Sequence, residues 1–404
     1  MSPASPPPPS RSSSIEAAGR ASGPAGGPAI VAGVAPGDAP GAAASPDNGG
    51  STGVVGSGAV PGDGLGAAPG SHIAGRAVAS ASARPSPGVA TVARVDATRS
   101  WRRVTVDAGG DGWFRLADRL ADPAGLDAWY AAEVAGTGRG HRDLAGALIV
   151  YRFSGSLAEL VVGPLLEQRR VVVLSPGNLS LRLGENARIE SLSVTAPVVA
   201  VLADDPDAGR PGTVVVGPAS GRTGSPGTAS AAGPSGAAGT SGTDALAALR
   251  EVAVDGLLAV FGALAEAVRA RAPFGLRGMW GTLADHLADV ALRRARDRGS
   301  DGEAAWATAS ALVDDLAARQ PLLRARPTRH EVVCAAGAGL FATKGTCCLI
   351  YKTNMPADRA EGRGSAQPWI DADACTSCPL RSEPDRTARL VRYLTDRAER
   401  INRG

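Results

Sequence analysis

Four cysteines near the C-terminal end are the residues whose types and spacing predict chemistry. Cys347 and Cys348 are adjacent, and 26 residues separate them from the C-x-x-C pair Cys375 and Cys378. Two residues between cysteines allow a tight turn to direct both thiolates at one metal centre. Because four thiolates satisfy either a Zn²⁺ ion or a [2Fe–2S] cluster, the set predicts a metal site.

The adjacent cysteines Cys347 and Cys348 help to distinguish a zinc site from an iron–sulfur cluster. Neighbouring side chains on an extended strand point to opposite faces, so Cys347 and Cys348 converge only through a bend. Zinc sites usually space their ligands by two to four residues, whereas a two-iron cluster is a larger target. The pair therefore favours an iron–sulfur cluster, while zinc and a redox or unligated role stay open. The thioredoxin use of C-x-x-C needs a preceding strand, which residues 368–374 do not resemble.

The segments Cys-Cys-Leu-Ile-Tyr (347–351) and Cys-Thr-Ser-Cys-Pro-Leu (375–380) resemble the C-terminal motif of the FhuF-like siderophore–ferric-iron reductases. The resemblance implies that Cys347, Cys348, Cys375 and Cys378 hold a [2Fe–2S] cluster. Upstream, residues 171–183 are similar to the family's strand–turn–strand, and Met279-Trp280-Gly281 to its Trp-Gly helix start. The family has a shorter segment between the cysteine pairs. The added residues here are polar and contain Gly and Pro, which predicts a loop extruded from the site.

A reductase of this family would act on a ferric siderophore, for which we expect the hydroxamate type. One electron is enough to loosen chelated iron, because hard oxygen ligands bind Fe³⁺ far more tightly than Fe²⁺. No Gly-x-Gly-x-x-Gly fingerprint opens a helix after a strand, so an external ferredoxin-like or flavin donor is expected. The alternative is a zinc- or iron–sulfur-binding regulatory or electron-carrier protein without reductase activity of its own.

Composition excludes other classes of function. The chain of 404 residues has 42 basic and 39 acidic residues, a net charge of +3, which argues against nucleic-acid binding. No apolar run is long enough for a membrane span, and no basic segment precedes an apolar one at the N-terminus. We therefore predict a cytoplasmic protein, where cysteines serve as metal ligands or redox groups more often than as disulfides.

Several residues near the cysteines have both a functional and a structural interpretation. Five residues upstream of the cysteines form a local excess of positive charge: Arg324, Arg326, Arg329, His330 and Lys344. Such a group can raise the reduction potential of a cluster or bind an acidic electron donor. More commonly, charged residues of this kind belong to a solvent-exposed connecting segment.

A second group is expected to serve mainly in packing. Cys334 is predicted to be a small buried residue and not a fifth ligand. Tyr351 and Trp369 either shield the cluster from water or belong to the core. Trp280, at helical spacing with apolar neighbours, is expected to pack rather than line a chelate pocket, and His141 and His286 are predicted to be structural.

The elements that must position the cysteines form a predicted α+β fold: helices with a small antiparallel sheet, a helical C-terminal half ending in the cysteine motif, and a long disordered N-terminal tail. Gly (53) and Pro (30) are abundant, and aromatic residues are absent before Trp101. The predicted parts are a disordered tail (1–98), an α+β region (99–203), a low-complexity linker or insertion (204–243), a helical region (244–330) and the [2Fe–2S]-binding region (331–404).

Periodicity and turn residues predict the individual elements. Strands are expected at 171–174, 179–183, 189–194 and 198–202, with a turn at 175–178. Helices are expected at 113–120, 126–134, 143–153 and 157–168, from 244 to Pro273, around 280–290 with Gly299 as C-cap, from a Ser300/Glu303 capping box to Pro321, and from 382 onward.

Overall fold

The computed structural model describes residues 84–97, 103–137, 140–184, 187–217, 242–353 and 374–403. The predicted tail up to residue 83, residues 218–241 of the predicted linker and the 354–373 segment between the cysteine pairs, which includes Trp369, lie outside these ranges. All five cysteines are within them.

Helices dominate the described ranges, as expected for the C-terminal half in particular. They are α1 (Pro87–Ala97), α2 (Leu116–Leu120), α3 (Pro123–Gly136), α4 (Arg142–Gln168), α5 (Gly242–Arg269), α6 (Leu276–Arg298), α7 (Gly302–Arg319) and α8 (Glu383–Arg403).

The strands form small sheets, so the predicted α+β class is confirmed. They are β1 (Arg103–Val106), β2 (Trp113–Arg115), β3 (Arg170–Val172), β4 (Leu179–Leu183), β5 (Ile189–Val194), β6 (Val199–Leu202), β7 (Thr213–Val216), β8 (Thr328–Cys334) and β9 (Gly337–Thr343). One sheet has the order β1-β5-β4-β2 and another β3-β6-β7, while β8 and β9 form a hairpin. The β1/β5 and β6/β7 pairs are parallel and the others antiparallel, which makes the two larger sheets mixed.

Helix α4 is the centre of the main core and packs most extensively against α6. It is long and apolar enough to cross a membrane, but 89% of its most apolar 18-residue window is buried inside the protein. Glu159 of α4 is buried and accepts a hydrogen bond from Arg294 of α6 (Oε2–Nε 2.9 Å). This ion pair, with good hydrogen-bond geometry, links the two helices within their apolar contact.

The C-terminal elements position the cysteines on this core. Helix α6 leads through α7 to the β8–β9 hairpin, and β9 packs back against α6. The loop that follows β9 carries Cys347 and Cys348 and ends in a 3-10 turn at Ile350–Thr353. The C-x-x-C loop directly precedes α8, which packs against β8 and β9.

The ordered part begins earlier than predicted, because α1 lies within the predicted tail. Its small residues resemble low-complexity sequence, yet Pro87, Thr91, Val92 and Val95 are buried. Their spacing places them on one helical face. The predicted boundary at residue 98 was therefore wrong for this helix.

Two predicted helix boundaries were also wrong. Residues Trp113–Arg115 are extended and pair with β4, so the predicted helix starts only at Leu116. The two helices predicted at 143–153 and 157–168 are one helix, α4. Ser154 and Ser156, which lie between the two predicted helices, are buried in the helix packing, and the Ser156 hydroxyl donates to the Arg152 carbonyl (3.2 Å). A Ser that bonds to the preceding turn is compatible with a helix interior.

The predicted linker starts with ordered structure. Strand β7 pairs with β6, and the Arg170 guanidinium donates to Asp205 (Nη2–Oδ1 2.7 Å) and Asp207 (Nη2–Oδ2 2.8 Å). These partly buried ion pairs attach residues 205–207 to β3. The prediction of a low-complexity stretch from residue 204 was wrong at this end.

The predicted turns and helix ends are mostly confirmed. Strands β4 and β5 have the predicted bounds, and Asn178 closes the turn between β3 and β4 by accepting from the Ser175 N–H (2.8 Å). Gly299 caps α6 with φ +64°. The α7 cap differs, because the Asp301 carboxylate accepts from the N–H groups of Glu303 and Ala304, and Ser300 lies before the cap.

Candidate metal centre

Two loops bring the four predicted cysteines together. Three pairs of thiols lie close enough to shift one another's pKa, namely Cys347 with Cys378, Cys348 with Cys375, and Cys375 with Cys378. Cys348 and Cys378 are buried, and Cys347 and Cys375 are half-buried. The two cysteine pairs, far apart in sequence, thus form one group of neighbouring thiols.

The thiols are neighbours in pairs. Within the described ranges, no three cysteine, histidine or carboxylate side chains surround one point as the ligands of a single metal ion do. The proximity of the four thiols, and not a preformed single-ion geometry, is therefore what the structure adds to the metal hypothesis.

The bend that an adjacent pair requires lies directly after Cys348. Leu349 has φ +58°, a left-handed conformation that is uncommon for a residue with a branched side chain. The N–H of Leu349 donates to the Cys347 sulfur and the N–H of Ile350 to the Cys348 sulfur. The chain reverses at this point, so both sulfurs receive backbone donors.

A buried carboxylate of α6 holds the first cysteine loop. Asp285, only 1% exposed, accepts hydrogen bonds from the N–H groups of Gly345 (2.7 Å) and Thr346 (3.1 Å). Burial raises the pKa of Asp285 to about 7, against the opposing effect of these two N–H donors and of the Lys344 charge. The residues just before the cysteine pair are therefore tied to the core by a carboxylate that is difficult to ionise.

Two glycines permit the close approach of this loop to its neighbours. A Cβ on Gly345 would lie 2.4 Å from the Arg326 carbonyl oxygen, and a Cβ on Gly281 of α6 would lie 1.9 Å from Thr346 Oγ1. Gly281 belongs to the Met-Trp-Gly segment that the sequence predicted as a helix start, but α6 begins earlier, at Leu276, so the segment lies inside the helix. The structural reason for Gly281 is the space it leaves for the first cysteine loop.

Two buried arginines hold the second cysteine loop. Arg381 donates from Nε to the Cys375 carbonyl (3.0 Å) and from Nη2 to the Ala374 carbonyl. Arg386 donates from Nη2 to the carbonyls of Cys378 (3.0 Å) and Arg381 (2.9 Å). Both arginines are more than nine-tenths buried, so their guanidinium groups act as interior anchors of the loop carbonyls.

Lys344 connects the two loops. Its N–H donates to the Ser377 carbonyl (2.9 Å), between the two cysteines of the C-x-x-C pair. Its buried ammonium donates to the sulfurs of Cys375 (Nζ–Sγ 3.6 Å) and Cys348 (3.9 Å), and it lies 4.7 Å from the ring centroid of Tyr151. Among the described residues, no carboxylate lies within ion-pair distance of this ammonium.

The electrostatics of the group favour negative charge on two of the four sulfurs, those of Cys347 and Cys375, whereas the pKa values of Cys348 and Cys378 are raised. Hydrogen bonds from Cys348 and Cys378 lower the pKa of Cys375, and the Lys344 charge and the Ser377 hydroxyl add to this effect. A hydrogen bond from Cys378 lowers the pKa of Cys347 to about 7. Burial alone would lower the pKa of Lys344, but the surrounding negative groups raise it above its usual range. The ammonium is thus held charged beside Cys375, whose thiol ionises readily, and beside Cys348, whose pKa is raised by the hydrogen bond with Cys375 and by burial.

Of the predicted positive group, only Lys344 contacts the cysteines. Arg326 pairs with Asp314, and Arg329 pairs with Glu303 (2.6 Å), both on the surface. These two arginines therefore have the surface role that such charges usually have.

The other predicted residues lie as follows. Cys334 is at the end of β8, half-buried against the small apolar cluster of the hairpin and α8, and none of the sulfur–sulfur contacts described above involves it. Tyr351 packs on Ala374 and Cys378. Trp280 is in the main core, edge-on to Phe261 at 4.8 Å.

The two histidines have structural surroundings. His286 is buried with its Nδ1 at 2.8 Å from the Thr282 carbonyl, and its ring lies 4.4 Å from that of Tyr151. His141 is at the N-terminal end of α4. Neither contacts the thiols in the described part of the chain.

The sequence did not single out Tyr151, Asp285, Arg381 or Arg386. Asp285, Arg381 and Arg386 are polar residues buried within or beside a helix, and Tyr151 is half-buried on α4; periodicity alone treats such positions as surface or core. One signal was present for the arginines: both follow the C-x-x-C pair within eight residues, near the predicted start of the last helix.

Neither the family models nor the curated proteins compared with the chain match it.

Proposed function

We propose that the chain is a [2Fe–2S] protein that delivers one electron to a ferric siderophore, so that the iron is released as Fe²⁺. The observation that carries the proposal is the group of four neighbouring thiols with the Lys344 ammonium buried among them. A buried ammonium needs hydrogen-bond acceptors that offset its charge, and among the described residues the sulfurs of Cys348 and Cys375 are the acceptors within hydrogen-bond distance of Nζ. Thiolates are also the ligands of iron–sulfur clusters.

The donor set fits such a group. Cys347, Cys348, Cys375 and Cys378 would hold it, and the resemblance of their two motifs to the FhuF-like reductases supports this assignment. When bound, the cluster supplies a one-electron carrier whose potential depends on charge, hydrogen bonds and solvent access.

The chain's own residues contribute position and charge. Asp285 holds the first loop and Arg381 the second, which supports a constant spacing of the sulfurs. Backbone N–H groups of Leu349 and Ile350 and the Lys344 ammonium direct positive charge at the sulfurs. Half-buried Cys347 and Cys375 leave part of the group near the surface, where a chelate or a donor protein can approach. The electron comes from an external ferredoxin-like or flavin reductant.

The first test is the content of the anaerobically purified protein. We expect iron and acid-labile sulfide in equal amounts and the visible absorbance of a [2Fe–2S] centre. Cys375→Ser and Cys378→Ser should abolish the absorbance, whereas Cys334→Ser is the matched control and should keep it. A colourless protein with one zinc contradicts the proposal, and loss of the centre in Cys334→Ser contradicts the ligand assignment.

The second test is electron delivery. The reduced protein, mixed anaerobically with a ferric hydroxamate and a ferrous-iron trap, should bleach the chelate and reoxidise with one electron per iron released. A protein that holds the centre but bleaches no ferric chelate supports the electron-carrier alternative and contradicts the reductase proposal.

A further inference from the structure

Lys344 is unusual in this chain for its residue type and its position. The protein has 42 basic residues, but only Lys344 and Lys352 are lysines. Lys352 pairs with the Asp143 carboxylate (Nζ–Oδ2 2.5 Å). Lys344 is buried and has two sulfurs and an aromatic ring around its ammonium instead.

The position of the Lys344 ammonium is fixed from several sides. Its backbone is hydrogen-bonded to the second loop through Ser377, and the face of Tyr151 lies 4.7 Å from Nζ. An ammonium is a compact point charge that fits between two sulfurs, whereas a planar guanidinium needs a wider set of acceptors. Desolvation strengthens both the charge–sulfur and the cation–π interaction.

The charge is unevenly placed among the four thiols. Nζ donates to Cys348 and Cys375, whereas for Cys347 and Cys378 the hydrogen-bond donors are the thiols and backbone N–H groups. Cys375 also receives the Ser377 hydroxyl (Oγ–Sγ 3.9 Å). The Cys348/Cys375 half of the site is therefore the more positive half.

We propose that Lys344 is the built-in counter-charge of the four-thiolate site and makes the bound group easier to reduce, an inference that rests on the proposed [2Fe–2S] function. A site held by four thiolates is already negative, and one added electron makes it more so. A fixed cation at hydrogen-bond distance from two of the sulfurs stabilises the more negative state the most. Lys344 is thus a positioning and tuning residue and not a ligand.

The test compares Lys344→Met with Lys352→Met. The midpoint potential of each full-length, cluster-containing protein is measured by redox titration followed by visible absorbance and EPR. At the wild-type midpoint, Lys344→Met should have a reduced-to-oxidised ratio at least tenfold lower, which corresponds to a shift of about 59 mV for a one-electron couple. Lys352→Met should stay at the wild-type value, and Lys344→Arg, which keeps the charge, should lie closer to wild type than Lys344→Met.

An unchanged midpoint in Lys344→Met with its cluster intact overturns the inference. The proposed function fails separately, because a wild-type protein without iron and sulfide fails before any variant is compared. Reductase activity is not used as the readout.

A second measurement on the wild-type protein remains informative if Lys344→Met does not fold. Mass spectrometry after acetic anhydride treatment distinguishes the two lysines. In the folded protein, Lys344 should be acetylated at least tenfold more slowly than in the urea-unfolded protein. Equal rates in the folded and unfolded protein mean that the ammonium is exposed to solvent, and they overturn the inference.

Discussion

The two loops that carry the cysteines are held by opposite charges. The first is attached through its N–H groups to a buried carboxylate, Asp285, and the second through its carbonyl groups to the buried guanidiniums of Arg381 and Arg386. The first anchor belongs to a core helix that precedes its loop by some 60 residues, and the second anchor directly follows its loop in sequence.

Although the two anchors are opposite in charge, they have the same effect on the electrostatic environment of the thiols. In the second loop, the arginines offset the negative ends of the peptide dipoles by donating to the carbonyl groups, and the N–H of Leu380 acts on the Cys378 sulfur. In the first loop, Asp285 takes the N–H groups before the cysteines, and those of Leu349 and Ile350 after them point at sulfur. Both arrangements leave positive dipole ends at the thiols. The carboxylate anchor of the first loop and the arginine anchors of the second therefore both favour negative charge on the sulfurs.

The largest effect is expected at the second anchor. Arg381→Met leaves the Ala374 and Cys375 carbonyls buried without their donor, and it removes a partner of Asp385. Loss of one partner of a buried charged network costs roughly 3–5 kcal/mol. We expect a loss of that order in the free energy of unfolding, measured in urea, together with loss of the bound metal centre.

Arg389→Met is the matched control for this anchor. Arg389 also donates to Asp385 (Nε–Oδ1 3.2 Å), but it is one-third exposed and lies one turn further along α8. Arg389→Met should lower the free energy of unfolding by less than about 1 kcal/mol, as for other exposed ion pairs. Equal losses in the two variants would show that Asp385 pairing, and not loop anchoring, is what Arg381 provides.

The two anchors should also differ in their response to pH. Arginine stays charged throughout, whereas burial raises the pKa of Asp285 from its ordinary value to about 7. The folded state then holds a proton that the unfolded chain releases near pH 4. The contribution of Asp285 to the free energy of unfolding therefore falls as the pH rises from about 4 to about 7, by up to about 1.4 kcal/mol per pH unit, and is constant above.

Asp285→Asn tests this difference. The stability of the variant minus that of the wild type should increase between pH 5 and pH 7 and then level off, as measured by urea unfolding at each pH. Asp297→Asn, a half-exposed carboxylate on the same helix, is the control and should not reproduce the trend. A difference independent of pH would mean that Asp285 stays ionised in the fold throughout this range.

The sequence predicted most regular elements because they are built from local patterns. Alternation at 179–183 and the Ser175–Asn178 turn predicted β4 and its start, and the apolar spacing in α5 and α6 predicted long helices. The errors lie where packing overrides local signals. Helix α1 is composed of residues common in disordered segments, and its order depends on a buried face that only the core creates.

The candidate site could be predicted only in part, for a similar reason. Cysteine spacing is a local pattern, and it predicted that the four cysteines would lie together. Whether they bind a cluster stays a prediction. Asp285 reaches its loop across some 60 residues, and no pattern in the sequence around Asp285 points to Gly345 or Thr346. Lys344 was one of five equal candidates in sequence, and it is distinguished by its burial and by its contacts with the Cys348 and Cys375 sulfurs, neither of which a local pattern shows.

Gly281→Ala tests the close packing of the first loop against α6, and not its electrostatics. Of the substitutions considered, it should have the smallest effect on the free energy of unfolding. The new Cβ would lie 1.9 Å from Thr346 Oγ1, so the loop must move away from α6. Overpacking costs roughly 1–3 kcal/mol, partly offset by the helix propensity of Ala, which is about 1 kcal/mol better than that of Gly. Thr346→Ala removes a buried hydroxyl that has no hydrogen-bond partner among the described residues. The double variant Gly281→Ala/Thr346→Ala should therefore recover most of the free energy of unfolding, measured in urea, that Gly281→Ala loses.

Gly262→Ala in α5 is the control for this prediction. Its Cβ would meet Trp280 at an ordinary distance of 3.6 Å, so it should not destabilise the protein. If Gly281→Ala is as harmless as Gly262→Ala, the first loop does not depend on close contact with α6, and its position rests on the Asp285 hydrogen bonds alone.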